Sequence, residues 1–395
     1  MRGSRATMAR RLANIIADMM ANILRGRFAA NYFSTLAFVG VAYWIITDLS
    51  PFHRQALQGQ WNLGGIGIDL AIRIHPLIVT LIALYAVVLI PFYARYPWLR
   101  SKANIFFQGL WFSARRLWRP PSRARQATLS NSPWRLPLRA RLTPAAKQAA
   151  LALLLKFFFA PLMINWCLGH LGDMTNSLVN LWNSLGDGAT GRLLFDSSLF
   201  WASFQLILFV DTLLFTLGYI IETPALNNRI RSVDPTFFGW FICLACYPPF
   251  NGFTSQFFPW QSSDFPSFNS DVAHFTANIT ILVAMAIYSW ASVALAFKAS
   301  NLTNRGIVGH GPYAFVRHPA YAAKNLAWWI GAIPGLIGVF TIEGYPAGMF
   351  FVGLFGWTLV YVLRALTEER HLLMLDNGYA QYMQKVKWRF IPGVF

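Results

Sequence analysis

The chain has 395 residues, of which 56% are hydrophobic and 16% aromatic while only 12% are charged. A soluble domain carries about twice that share of charge, so this composition excludes one and points to a chain solvated largely by lipid. The net charge of +18 would suggest nucleic acid in a soluble protein, but its distribution along the chain excludes a nucleic-acid partner.

Crossing about 30 Å of hydrocarbon takes roughly 20 helical residues. Apolar runs of about that length are read at 29–47, 74–94, 148–168, 197–221, 236–252, 272–297, 321–342 and 346–367, the fifth interrupted by Pro248 and Pro249. Strand alternation is absent over these lengths, which excludes an outer-membrane barrel. The expected fold is therefore an all-α integral membrane protein with about eight transmembrane helices. With eight spans, 29 of the 33 Lys and Arg fall in segments on the side of the N-terminus. Arg54, Arg73 and Arg192 fall on the other side and Lys156 within a span, so the positive-inside rule places both termini in the cytosol.

Residues 1–28 read as a cytosolic amphipathic segment. Leu12, Ile15, Ile16, Met19, Met20 and Ile23 follow helical spacing between polar residues, which suits a helix lying on the inner leaflet rather than a cleavable signal peptide. Residues 29–270 carry the first five spans. From Arg73 to Lys156 there is no Asp or Glu. The basic loop 95–147, with Trp111, Trp118 and Trp134, suits docking on anionic membrane lipids, at about 1 kcal/mol per Lys or Arg. Lys156 and Asp211 fall at similar depths in the third and fourth spans. An unpaired charge there costs at least about 2.5 kcal/mol, so the two are expected to face each other. Cys167, Cys243 and Cys246 sit in or beside apolar spans and imply neither a disulfide framework nor a metal site.

Residues 271–395 differ, with polar residues clustered at two points flanking a helical hairpin. Before it come Gly309-His310-Gly311-Pro312-Tyr313 and Arg317-His318-Pro319-Ala320-Tyr321. After it come Arg364, Glu368 and Glu369, then Tyr379, Tyr382 and Arg389-Phe390-Ile391-Pro392. The turn near Gly344 is 23 residues from both Tyr321 and Thr367, so the two clusters are expected to meet. Gly331, Gly335, Gly338, Gly348, Gly353 and Gly356 would let the two arms approach closely. Pro319 suits the first turn of the seventh span, whose free N–H groups offer partial positive charge beside Arg317 and His318. Arg364 and Glu368 share a helix face, with Glu369 turned about 100° away.

The pattern G-P-Y-x3-R-H-P-x-Y, then R-x3-E-E, Y-x2-Y and R-x-I-P, resembles the isoprenylcysteine carboxyl methyltransferase family over about residues 298–395, a quarter of the chain. The resemblance implies a site for S-adenosylmethionine. By position, His318, Tyr321 and Glu369 would hold the cofactor, with Tyr313, Arg317, Tyr379 and Tyr382 as further contributors. Arg364 would sit at the methyl-acceptor side and Glu368 beside it as the second candidate catalytic residue. Arg317 matches the family pattern, with lipid phosphate binding or capping of the hairpin as other roles open to it. Lys324 and Asn325 depart from the small or apolar residues expected after Tyr321. The expected acceptor is a lipophilic or small molecule, a carboxylate first, then a thiol or amine. The rivals are a membrane reductase on a related core and a non-enzymatic transporter or scaffold.

Overall fold

The computed structural model describes residues 26–63, 70–117, 142–344, 346–375 and 377–394. The amphipathic segment expected at 8–25 and the middle of the basic loop, with Trp118 and Trp134, lie outside the described residues. About three-quarters of the structure is helical, and its only strands among the described residues form two two-stranded ladders. Contacts divide the chain into two compact units, Met1–Trp61 with Ala71–Phe157 and Asn62–Leu70 with Phe158–Phe395.

The first unit contains α1 (Gly26–Leu49), α2 (Pro51–Leu57), α3 (Ile74–Arg95), α4 (Lys102–Leu117) and the opening turns of α5 (Pro144–Gly186). A hairpin of β1 (Gln60–Leu63) and β2 (Leu70–Arg73) precedes α3. Asn31 is its polar tie. Its amide donates to Leu99 O at 2.8 Å and accepts from Ser101 N at 2.9 Å and Asn104 Nδ2 at 2.8 Å, fixing α1 to the turn that starts α4. A Cβ on Gly109 would collide with the Cβ of Ala146, so α4 and α5 cross almost backbone to backbone.

The second unit contains the rest of α5 and α6 (Gly191–Ile220), then α7 (Phe237–Leu244) and α8 (Phe250–Phe257). They are followed by α9 (Asp271–Leu295), α10 (Pro319–Gly331), α11 (Ile333–Thr341), α12 (Ala347–Leu373) and α13 (Tyr379–Lys385). Among the described residues six helices, α1, α3, α5, α6, α9 and α12, are long and apolar enough to cross a membrane. Two segments expected as single spans are divided instead. The run at 236–252 becomes α7 and α8, because Pro248 and Pro249 remove two consecutive N–H donors. The run at 321–342 becomes α10 and α11, meeting at Ala332 just before Pro334.

α6 and α9 pack side by side around Phe200, Phe204, Ile281 and Met285, with Ala327 of α10 completing the cluster. Within this apolar seam Asp211 accepts from Tyr288 Oη at 2.8 Å and from Ser292 Oγ, two hydroxyls of α9. The start of α6 meets the start of α9 through Arg192, which contacts Asp271 at 2.6 Å and Asp196 at 3.2 Å. Near the opposite ends, β3 (Ser232–Val233) pairs antiparallel with β4 (Thr303–Asn304).

The arms α10 and α12 do bring their motif ends together. Their glycines serve another purpose than direct arm-to-arm approach. A Cβ on Gly331 would strike Ser263 O, one on Gly353 would strike Pro259 O, and one on Gly356 would strike the Phe258 ring. The stretch 258–263 is wedged in, held by Trp357 Nε1 to Phe258 O at 2.7 Å and Ser263 N to Gly331 O at 3.1 Å.

Gly218 of α6 is as tightly confined, since a Cβ there would meet the carbonyl of Ala299. Gly218→Val should therefore cost about 1–3 kcal/mol by overpacking, read as a lower thermal midpoint in detergent. Gly169→Ala, where nothing lies within 4 Å, should leave the midpoint unchanged or raise it.

Candidate functional site

The two sequence clusters meet at a cavity of about 200 Å³. Its wall is built from the loop 298–308 after α9, one face of α10, the last turns of α12, and Tyr379 and Tyr382 of α13. Tyr313, Arg317, His318, Tyr321, Arg364, Glu368, Tyr379 and Tyr382, eight of the nine sequence-predicted site residues, line it. Pro319 does open α10, so this helix begins at the motif.

Arg364 is 3% exposed. A guanidinium buried in an apolar bundle needs compensation, and three rings provide part of it. The guanidinium carbon lies 5.0 Å from the ring centre of Tyr321, 5.5 Å from Tyr361 and 5.6 Å from Tyr247. Its Nη2 donates to Asn301 Oδ1 at 2.9 Å and sits 3.8 Å from Glu368 Oε1, while Nε has no hydrogen-bond partner. Asn301 is in turn fully committed. Its backbone N–H donates to Tyr219 Oη at 2.8 Å, and its side-chain amide donates to Tyr219 and Tyr247 hydroxyls at 3.0 Å each. One neutral amide thus joins α6, the α7–α8 turn and α12. The loop presenting it is strained, with Leu302 at φ 57°.

The paired glutamates have separate tasks. Glu369 is 4% exposed and is held bidentately by Arg389, Nε to Oε1 at 3.1 Å and Nη2 to Oε2 at 3.0 Å. His318 Nε2 lies 3.1 Å and Arg317 Nε 3.4 Å from Oε1. Backbone bonds from Arg317 N to Trp388 O and His318 N to Arg389 O, both 2.9 Å, complete a clamp between the tail and the start of α10. Glu369 does not line the cavity. Its Oε1 accepts from His318 and Arg389 and its Oε2 from Arg389, so the clamp already engages both oxygens.

Glu368 faces the cavity with its side chain 29% exposed and accepts from the Tyr321 hydroxyl. The His318 ring stacks on Tyr321 at 5.5 Å and 5°. The Tyr382 hydroxyl donates to Tyr313 O at 2.8 Å, and burial pushes its phenol up to about 12. Burial also raises Tyr313 and Tyr379, so all three phenols remain protonated donors at physiological pH. The chamber wall therefore carries the carboxylates of Glu368 and Asp234, several cations including the ring-fenced Arg364, several ring faces and neutral hydroxyl donors.

Sequence reasoning missed Asn301, Tyr247 and the cavity-lining Tyr288, Ser292, Lys298 and Arg305. The polar run Asn301–Arg305 directly after an apolar span was a usable signal. Tyr247 was not legible, since it lies in what reads as an apolar stretch.

Comparison with protein-family models, curated proteins and solved structures gives no match in any of the three.

Glu369→Ala would strand two guanidiniums and an imidazole, a loss of about 3–5 kcal/mol for a broken buried pair. Glu368→Ala should cost far less. Thermal unfolding of the two variants in the same detergent checks this, and equal losses would remove the distinction between clamp and chamber.

Proposed function

We propose that the chain is a membrane methyltransferase that uses S-adenosylmethionine and acts on a lipophilic or small acceptor, with its chamber at the cytosolic face. The observation that carries this is the convergence of both motif clusters, 43 and more residues apart, on one chamber, with Tyr321 bonded to Glu368 and beside Arg364. The resemblance of the same residues to the isoprenylcysteine carboxyl methyltransferases supplies the chemistry.

The chamber fits the cofactor group by group. Glu368 is the acceptor for its ammonium or ribose hydroxyls. The Tyr321 and Tyr361 rings are faces on which a sulfonium is attracted. His318, Tyr313, Tyr379 and Tyr382 complete the wall. When bound, the cofactor supplies an activated methyl group, and the protein's task is positioning in a dry space. For a carboxylate acceptor no base is required, and Arg364 orients it. For a thiol or amine, Glu368 is the group placed to take the proton.

Contacts within the second unit favour eight crossings, two of them irregular. Arg192 with Asp271 marks one side, and the β3–β4 ladder with Arg370 Nη2 to Thr236 Oγ1 at 2.8 Å marks the other. Between Thr236 and Asp271 the chain passes from the second side to the first by way of α7, α8 and the 258–263 wedge. The pair α10 and α11 makes a similar broken passage. With eight crossings, the distribution of lysines and arginines along the sequence puts both termini in the cytosol.

A second reading, a membrane reductase, draws on one observation. The lining cations Lys298, Arg305, Arg317, Lys324 and Arg364 outnumber the lining carboxylates Asp234 and Glu368, which favours a phosphate-bearing dinucleotide.

Purified protein should bind S-adenosylmethionine, and Glu368→Gln should weaken that binding tenfold or more, equivalent to about 1.4 kcal/mol. Arg364→Lys should lose methyl transfer, read as the missing one-methylene mass increment in lipid and metabolite extracts. Unchanged cofactor binding in Glu368→Gln sinks the assignment, and oxidation of a nicotinamide cofactor would favour the reductase.

A further inference from the structure

Asp211 does not line the chamber, but the two hydroxyls that donate to it do: Tyr288 Oη, at 2.8 Å, and Ser292 Oγ. A hydroxyl has one hydrogen and two lone pairs. Both hydrogens are spent on Asp211, and neither oxygen has a second hydrogen-bond partner among the described residues. What Tyr288 and Ser292 offer the chamber is therefore lone pairs. Their stretch of wall accepts hydrogen bonds and does not give them.

The charges around it act in the same direction. Lys324 lines the chamber here, with its ammonium 5.6 Å from the ring centre of Tyr288 and 5.9 Å from that of Tyr361. It acts electrostatically on two carboxylates, Asp211 and Asp264, so one ammonium is set against two acids. His170 also acts on Asp211, and its ring is tied to Gln205 Oε1 at 2.9 Å. Arg364 is engaged by Asn301 and Glu368. A carboxylate placed against Tyr288 and Ser292 would meet lone pairs with a balance of negative charge behind them. An N–H, S–H or O–H group would meet acceptors, and a polar wall rejects a partner that leaves it unpaired.

The stretch lies at the end of the chamber away from Glu368. Along α12, Tyr361 precedes Glu368 by seven residues, about 10 Å. Along α9, Tyr288 precedes the last residue, Leu295, by the same count. The Glu368 end takes the cofactor in the reading above, which leaves this end for the second substrate.

We propose that Tyr288 and Ser292, oriented by Asp211, select a methyl acceptor whose nucleophilic atom carries a hydrogen, an amine, thiol or hydroxyl, over a carboxylate. Calling this ligand an acceptor rests on the methyl-transfer proposal; the preference of the site for a hydrogen-bond donor does not.

The test uses the full chain in nanodiscs, with empty nanodiscs subtracted, with and without S-adenosylhomocysteine. Hexanol, hexanethiol, hexylamine, hexanoate and 1-methoxypentane are titrated calorimetrically. The last is an ether with the heavy-atom count of hexanol and no hydrogen to donate. In wild type at least one of the three donors should bind about tenfold or more tightly than both the ether and hexanoate, and the tightest donor names the nucleophile. In Asp211→Asn the amide can donate to one hydroxyl and turn its hydrogen toward the chamber, so the preference should fall at least threefold. Tyr288→Phe combined with Ser292→Ala should abolish it while ether binding stays within about threefold of wild type, which reports an intact chamber. Should the double variant not fold, Ser292→Ala alone should still lower the preference at least threefold. Hexanoate binding as tightly as the best donor, donors no tighter than the ether, no binding of any probe, or a preference unchanged in the hydroxyl variants overturns the proposal. Absence of S-adenosylhomocysteine binding together with a retained donor preference would remove the methyltransferase and leave the donor site standing.

Discussion

The second unit is organised around a guanidinium that cannot be left uncompensated. Arg364 sits inside an apolar bundle, so rings of Tyr247, Tyr321 and Tyr361 and the amide oxygen of Asn301 must all be in place around it. Each of these arrives from a different element. Tyr247 requires α7 to stop before its prolines, Tyr321 requires α10 to start at Pro319, and Asn301 requires a loop strained enough to hold Leu302 at positive φ. Asn301 has no spare hydrogen-bonding capacity for rearrangement, because Tyr219 and Tyr247 take its donors. A charge in low dielectric thus acts as a specification of geometry: few arrangements of these helices can solvate it.

The adjacent glutamates show how one helical step separates a buried clamp from an open chamber. With a rotation of about 100° per residue, Glu369 turns into the Arg317, His318 and Arg389 cluster while Glu368 turns into open space. The support is rigid because its ionic contacts are dry and multiple. The chamber side is adaptable because Glu368 keeps part of its side chain exposed. Nothing in the spelling E-E distinguishes the two, and their division of labour depends on Arg389, a residue remote in sequence that carries no obvious functional signature.

Much of the helical architecture was legible in the sequence. Long apolar blocks such as 74–94 and 272–297 are unambiguous, because hydrocarbon thickness imposes a length that chance rarely supplies. The meeting of Tyr321 with Glu368 was legible too, since equal arms on either side of Gly344 admit one register. What escaped was whatever depends on neighbours rather than on local pattern. The prolines at 248, 249 and 334 divide runs that hydropathy alone joins. The glycines of the hairpin pointed to close approach, but they could not say that the partner would be the carbonyls of 259 and 263. Asp211 illustrates the same limit: depth predicted that it needs a partner, while the identity of that partner, a tyrosine and a serine four residues apart, follows only from the packing of α6 on α9.

The clamp on Glu369 has a temporal implication. Arg389 comes after the six long apolar helices found among the described residues, whereas Arg317, His318 and Glu369 precede it in sequence. Without the stretch that carries Arg389 in place, Glu369 lacks the two hydrogen bonds that Arg389 gives it. Only when the stretch after α13 folds back does the charge cluster close, and the chamber wall contributed by Tyr379 and Tyr382 is laid down in the same event. Completion of the chamber wall therefore depends on residues that come after α12 in the sequence.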